Sequence, residues 1–226
     1  AITTGDYNTA VGKDALGGTT TSNSNTAVGY SAALANTTGA NNTALGSVAL
    51  LSNTTASNNT ALGKSALQAN TTGSDNTAVG ANALDTNQTG SNNTAIGYLA
   101  LDKTLEDANV AVGNYTLREN TTGEYNTAVG YQALTKNTTA NNNTALGFYA
   151  LQQNTTGARN TAVGTNALDA NQTGNYNVAL GYGSLGANTA SNNVAVGYDA
   201  LTSNTTGGNN IAVGYNALGN NTTSSN

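Results

Sequence analysis

A five-residue motif, Asn-Thr-Ala-Val-Gly, places the tightest limit on how this chain folds. It first occurs at residues 8–12, and consecutive motifs are 17 residues apart ten times and 16 residues apart twice. A period this short and strict predicts stacked supersecondary units rather than an ordinary globular core. We therefore expect a single β-solenoid repeat domain over residues 1–226. The motif begins at Asn8, Asn25, Asn42, Asn59, Asn76, Asn93, Asn109, Asn126, Asn143, Asn160, Asn177, Asn193 and Asn210.

The pattern within the motif predicts which side chains face the interior. We number each coil from its motif Asn as position 0, which gives the consensus N-T-A-V-G-Y-x-A-L-x-x-N-T-T-G-x-x. Position 3 is always Val, Leu or Ile, and position 1 is Thr except at Val110, Val178, Val194 and Ile211. Because Thr and Val are nearly isosteric, position 1 is expected to face the same apolar space as position 3. Alternation along a strand then predicts that both positions point inward.

The invariant Ala of position 2 is then expected on the opposite face of the strand. A solvated face would accept Lys, Glu or Ser, so an Ala in every coil predicts close contact with another chain, and the Ala of position 7 repeats the signal. The Leu of position 8 is expected to point inward from a short second strand. Gly at position 4 and the N-T-T-G segment at positions 11–14 are typical of corners.

The expected fold is therefore an all-β parallel β-solenoid of about thirteen 17-residue coils, with two short strands in each coil. Three inward side chains per coil contribute less free energy than the ordering of the coil costs. This shortfall also favours an oligomer.

Composition excludes several classes of function. The chain has no Cys or His, so it has no disulfide, thiolate nucleophile, zinc site or imidazole base. Six scattered Lys and Arg with a net charge of −5 argue against nucleic acid. No apolar run reaches the length of a membrane-spanning helix, and Ala1 already lies in the repeat register, as expected for a mature product or an excised fragment.

Catalysis is not expected either. The carboxylates, including Asp85, Asp102 and Asp169, are expected to form neither a paired acid/base site nor a calcium ladder. We predict no enzyme activity, no cofactor and no metal.

The motifs N-T-A-V-G and N-T-A-I-G, and N-V-A-V-G at residues 193–197, resemble the head repeat of YadA-type trimeric autotransporter adhesins, which has the form N-S-V-A-I-G. Similar repeats occur in proteins that resemble phage tail fibres. The resemblance implies a left-handed β-roll with three chains packed around one axis through their small residues. The coils here are longer than the usual adhesin head coil, and the added residues lie in the N-T-T-G turn.

The resemblance also implies a function: a structural, surface-exposed or extracellular fibre or adhesin head. It would be a rigid trimeric rod for spacing or multivalent adhesion, with copies of itself and surface glycans or proteins as partners. One alternative is a self-assembling extracellular filament whose subunits stack end to end and carry glycans. Another is an ice-binding protein, which is disfavoured because the Thr residues of position 1 are expected to point inward.

Two sets of candidate contact or modification residues follow from the columns. Tyr182, Tyr198 and Tyr215 occupy position 5 of successive coils and predict an aromatic contact ladder, with either a packing role or a sugar-binding role. The N-x-T sequons predict glycosylation along one edge, although turn chemistry explains the same residues and the Thr hydroxyls are alternative acceptors. The sequon residues are Asn36, Asn53, Asn70, Asn87, Asn120, Asn137, Asn154, Asn171, Asn204 and Asn221.

Two further features have competing interpretations. The Asn column of position 0 is expected to be structural, with stacked side chains that bond to one another and to the corner backbone. Residues 102–107 form the densest charge cluster and lack the N-T-T-G turn. This segment is either a shortened turn or a distinct binding loop.

Overall fold

A computed structural model describes residues 5–19 and 21–225. This part of the chain contains thirteen three-residue strands and no helix. Each strand covers positions 1–3 of one coil. The strands are β1 (Thr9–Val11), β2 (Thr26–Val28), β3 (Thr43–Leu45), β4 (Thr60–Leu62), β5 (Thr77–Val79), β6 (Thr94–Ile96), β7 (Val110–Val112), β8 (Thr127–Val129), β9 (Thr144–Leu146), β10 (Thr161–Val163), β11 (Val178–Leu180), β12 (Val194–Val196) and β13 (Ile211–Val213).

The strands follow one another in sequence order in a parallel sheet, which confirms the predicted β-solenoid. Equivalent motif positions pair with each other, as Thr43 with Thr60 and Ala44 with Ala61. The chain divides into two compact units, Ala1–Ala111 and Val112–Asn226. Strands β1–β6 pair consecutively in the first unit, and β8–β13 in the second. The expectation of a single domain over residues 1–226 stays a prediction.

The predicted second strand is wrong: the described coils each contain one strand. Positions 6–8 form a turn in which positions 6 and 8 have left-handed backbone conformations, as in Val48 (φ 53°) and Leu50 (φ 53°). Such conformations cost β-branched and bulky residues free energy. The bond from the Leu50 amide to the Ala66 carbonyl of the next coil (2.9 Å) and the full burial of the Leu50 side chain offset this cost.

Position 4 requires glycine for two reasons. Gly46 has φ 142°, a region that side-chain-bearing residues rarely adopt. A Cβ atom at Gly46 would also lie 2.4 Å from the carbonyl oxygen of Gly63 in the next coil. The prediction of a corner with close backbone approach is therefore confirmed.

The predicted direction of the strand side chains is wrong. Ala44, at position 2, is fully buried inside its own chain, whereas the position 3 residue Leu45 is 43% exposed. Thr43, at position 1, is also exposed. The same orientation holds in β2–β13, where position 2 is buried and positions 1 and 3 are half-buried or exposed. The interior is filled instead by Ala at positions 2 and 7 and by Leu at position 8.

Two columns of buried Asn complete the interior. At position 0, the side-chain oxygen of Asn42 accepts the backbone N–H of Asn59 (2.9 Å), and its amide nitrogen donates to the carbonyl of Ala56 (2.9 Å). At position 11, the amide nitrogen of Asn53 donates both to the side-chain oxygen of Asn36 (2.9 Å) and to the same Ala56 carbonyl (3.0 Å). Each coil thereby fixes the next, which confirms the structural interpretation of the position 0 column.

Candidate interaction surfaces

The outward side chains of positions 1 and 3 form what we call the strand face. In the first unit, Leu45, Leu62 and Ile96 are about two-fifths exposed on it. In the second unit, Leu146 is 46% exposed. Every position 1 residue is Thr, Val or Ile and every position 3 residue is Val, Leu or Ile, so the face carries no charge. A continuous uncharged aliphatic column of this kind is typical of a contact surface.

The hydroxyls of the strand-face Thr residues are available for contacts. Within residues 5–19 and 21–225, the hydroxyls of Thr60 and Thr144 and their equivalents make no hydrogen bond to another residue. By contrast, the Thr hydroxyls of position 12 hold adjacent coils together, as in Thr138 to the Thr155 carbonyl (3.1 Å) and Thr54 to the Thr71 carbonyl (3.3 Å). The fold therefore uses the second set of hydroxyls and leaves the first set facing outward.

The Ala columns were expected to contact another chain, and this prediction is wrong. Ala44 and Ala49 are fully buried by their own chain, so neither column can line a seam between chains. Position 7 turns inward with position 8, where Leu50 is also fully buried. If chains associate, the strand face is the exposed apolar column that they would use.

The aromatic ladder has the predicted geometry. The rings of Tyr182 and Tyr198 stack with centroids 5.0 Å apart and planes 11° apart, and Tyr198 and Tyr215 stack at 5.5 Å and 14°. The Asp199 charge, with a smaller effect of burial, raises the pKa of Tyr198 above its usual value. Because stacked rings cover each other's faces, this ladder presents mainly ring edges and hydroxyls to solvent. A sugar ring that packs against an aromatic face would find few free faces here.

A second aromatic cluster was not predicted. Tyr131 and Phe148 stack in successive coils of the second unit with centroids 5.6 Å apart, and Tyr149 packs against Phe148 at 3.9 Å. Tyr115 contacts Tyr131 edge to face at 6.1 Å. Aromatic residues at positions 5 and 6 of adjacent coils carry the signal for this cluster in the sequence.

The sequon Asn residues are not presented as glycosylation acceptors. Nine of the ten are fully buried: Asn36, Asn53, Asn70, Asn87, Asn120, Asn137, Asn154, Asn171 and Asn204. The amide nitrogen that would carry a glycan is used within the coil stack, as in Asn154, which donates to Asn137 and to Gly157 (both 2.9 Å). At Asn221, which is half-buried, the same nitrogen donates to Asn204 (3.0 Å). These contacts support turn chemistry as the reason for the column.

The charged segment at residues 102–107 continues the coil stack. The Asp102 carbonyl accepts the Thr86 hydroxyl (2.6 Å), and the Glu106 carbonyl accepts the Asn93 amide (2.8 Å). Thr104 is fully buried at position 11, where every other coil except the first places Asn. These contacts favour the shortened turn over a distinct binding loop.

The expectation that the carboxylates form no pair needs a correction. Asp85 and Asp102 both occupy position 9, in neighbouring coils. Burial raises the pKa of Asp85 above its usual value of 3.8, and the Asp102 charge raises it further. At Asp169, burial raises the pKa, against smaller lowering effects of backbone hydrogen bonds. Asp85 and Asp102 form a like-charge pair that the sequence reasoning overlooked.

Three specific features are absent from the described residues. They contain no group of three or more Cys, Asp or Glu placed to hold a metal ion. No pocket opens in the surface formed by residues 5–19 and 21–225. No helix in this part of the chain has the length and apolar character needed to cross a membrane.

Comparison of this chain with protein-family models, with curated proteins and with solved structures gives no match.

Proposed function

We propose that this chain is a structural fibre module of the adhesin-head kind, exposed at a cell surface or outside the cell, which assembles with copies of itself through the strand face. The observation that carries the proposal is the uncharged column of Thr and aliphatic side chains that β2–β13 direct outward. Assembly would leave the remaining edges of each coil free to repeat weak contacts with a surface partner. Contacts repeated in this way strengthen binding through effective concentration.

The chemistry of the strand face favours a second copy of this chain as its partner. Burying Leu62, Leu146 and their equivalents removes apolar surface from water, which stabilises association. The Thr hydroxyls of two copies can bond to each other across the contact, as Thr pairs do between neighbouring strands. A homotrimer is the assembly implied by the resemblance to YadA-type heads, and the strand face now replaces the Ala columns as its seam.

The native mass of the purified chain tests this proposal. We expect light scattering to give about three times the chain mass of 22.4 kDa. The double variant Thr60→Lys/Thr144→Lys should shift the mass to that of one chain, because buried charges oppose assembly.

The matched control is Thr55→Lys/Thr139→Lys, which adds the same charges at exposed turn positions. It should leave the number of chains in the native particle unchanged. A native protein that remains a single chain at high concentration contradicts assembly through the strand face. Long fibres in negative-stain images, unchanged by both double variants, would move the contact to the ends of the solenoid.

A second candidate, ice binding, is favoured by the same outward Thr column. The reason for disfavouring it was that the Thr residues of position 1 would point inward, and in β2–β6 and β8–β10 they do not. In-register strands repeat each hydroxyl and methyl group about every 4.8 Å. A regular array of this kind would order water in a lattice against the face.

Thermal hysteresis measurements separate the two candidates. Ice binding requires a gap between the melting and freezing temperatures that is present in the native chain, lost in Thr60→Lys/Thr144→Lys and kept in Thr55→Lys/Thr139→Lys. A native trimer without thermal hysteresis leaves self-assembly as the function of the strand face.

A further inference from the structure

The turn at positions 11–14 contains a column of threonines whose hydroxyls, except that of Thr89, make no hydrogen bond within the described residues. Position 13 is Thr in eleven coils, and the two exceptions are the shortened coils that begin at Asn93 and Asn177. All eleven side chains are exposed: Thr21, Thr38, Thr55, Thr72, Thr89, Thr122, Thr139, Thr156, Thr173, Thr206 and Thr223. We call them the turn threonines.

The three hydrogen-bonding side chains of this turn differ in how far they are used. In one coil, Asn137 at position 11 is fully buried, and its amide nitrogen bonds to Asn120 (2.7 Å) and to the Ala140 carbonyl (2.9 Å). Thr138 at position 12 donates its hydroxyl to the Thr155 carbonyl of the next coil. Thr139 at position 13 is exposed, and its hydroxyl makes no hydrogen bond to the described residues.

The same division recurs along both units. Among the turn threonines of the described chain, only Thr89 donates its hydroxyl to a neighbouring coil, in a 3.3 Å bond to the Leu105 carbonyl of the shortened coil. At a position whose side chain makes no contact that stabilises the fold, the amino-acid type can differ from coil to coil. Position 5, which is also exposed in most coils, holds Lys13, Ser47 and Phe148 among others.

The constancy of the turn threonines therefore points to a use outside the folded chain. Thr is not the residue that turns prefer, since Gly, Asn, Asp and Ser serve there more often. An exposed, unbonded secondary hydroxyl on a surface turn is the group that an O-linked modification requires.

We propose that the turn threonines are acceptors for O-linked glycosylation, so that the folded chain carries a column of sugars on this edge. The Thr139 hydroxyl oxygen forms a bond to the anomeric carbon of a nucleotide-activated sugar. The bond from that carbon to the diphosphate oxygen breaks, the nucleoside diphosphate leaves, and the hydroxyl proton passes to a base of the glycosyltransferase. This step involves no oxidation or reduction.

The inference stands apart from the proposed function, because the turn threonines lie outside the strand face. The residues whose replacement should abolish assembly therefore differ from those whose replacement should remove sugar, and the two effects are measured by different methods. An unmodified trimer would overturn the glycosylation proposal alone, and a glycosylated single chain would overturn the assembly proposal alone.

Mass spectrometry of the chain purified from its natural host tests the proposal. We expect an intact mass above 22.4 kDa by multiples of one sugar residue. Electron-transfer fragmentation should place these sugars on position 13, as at Thr139 and Thr156, and not on Asn137 or Asn154.

Two variants produced in the same host complete the test. Thr139→Val should remove the sugar from its coil, whereas Thr138→Val, the matched control one residue earlier, should keep it. Because Thr139 is exposed and unbonded in the described chain, its replacement leaves the fold intact. An unmodified native mass, or sugars found on Asn or on position 12 instead, would overturn the proposal.

Discussion

At the scale of single residues, the buried Asn columns are the most exacting feature of the chain. The side-chain amide of Asn carries an NH₂ donor and a carbonyl oxygen acceptor on one short planar group. At position 11 its nitrogen reaches two oxygens at once, as Asn154 reaches Asn137 and Gly157. Buried polar groups without partners are costly, so each Asn is fixed by its neighbours in the column.

The variant Asn154→Asp tests this view of the column. The shape of the side chain is kept, but its two hydrogen-bond donors are lost and a charge is buried beside two oxygens. We expect the free energy of unfolding to fall by about 3 kcal/mol or more, measured by chemical denaturation. The matched control is Asn142→Asp, an exposed residue whose equivalent in another coil is Asp75. A loss of similar size in both variants would contradict the importance of the buried amide.

Residue-level reasoning from sequence succeeded for glycine and Asn and failed for the strand. Gly at position 4 was expected to form a corner and Asn at position 0 a structural column, and the structure agrees with both. The Thr-to-Val exchange at position 1 had two explanations, because β-branched residues suit an exposed strand surface as well as an apolar interior. Only the face of the strand that packs inside the coil separates them, and that choice depends on packing that the repeat pattern does not contain.

At the scale of the coil, the unexpected element is the turn that replaces the predicted second strand. Leu at position 8 was correctly expected to point inward, and Leu134 is fully buried. Its left-handed conformation (φ 53°) could not be predicted, because Leu rarely adopts it. The conformation is held by hydrogen bonds to the next coil, such as Leu134 N–H to the Ala150 carbonyl (3.0 Å), which a single coil cannot supply.

Neighbouring coils also create a pH-dependent pair, Asp85 and Asp102. The pKa of Asp85 is raised in the folded chain, so the folded state binds a proton there more tightly than the unfolded state does. Its contribution to stability is therefore gained as the pH falls through the raised pKa, which lies above 3.8, and is lost again as the pH rises.

We expect Asp85→Asn to raise the melting temperature at pH 7 and to reduce the stability gained between pH 7 and about pH 4. Melting curves followed by circular dichroism across this range would measure both effects. The control Asp14→Asn, at an exposed position of the first coil, should keep the acid gain. A variant Asp85→Asn with an unchanged pH profile would show that this pair does not set the acid response.

At the scale of the whole molecule, the balance between apolar and charged surface decides how the chain behaves in solution. Only 8% of its residues are charged, and the strand face has none. Little electrostatic repulsion is therefore available to keep copies apart.

Assembly through the strand face predicts that thermal stability depends on protein concentration. The melting temperature should rise as the chain concentration rises, because association stabilises the folded state by mass action. In Thr60→Lys/Thr144→Lys the melting temperature should no longer depend on concentration, whereas Thr55→Lys/Thr139→Lys should behave as the native chain does. Calorimetry over about a hundredfold range of concentration would check this, because a change of that size measurably shifts the stability of a chain that associates. An equal melting temperature throughout that range is the contrary result.

The break in the position 11 column at Thr104 has a consequence for how identical coils find their partners. Asn87, in the preceding coil, is left with a buried side-chain oxygen that has no hydrogen-bond partner among the described residues. If all coils were alike, two associated copies of the chain could shift in register by a whole repeat at little cost in free energy. The coils that begin at Asn93 and Asn177 are one residue shorter than the others. A copy shifted by one repeat would therefore place a 16-residue coil beside a 17-residue coil. The short coils thus define one register between two copies, and the unpaired Asn87 oxygen is a small local loss of stability that accompanies this feature.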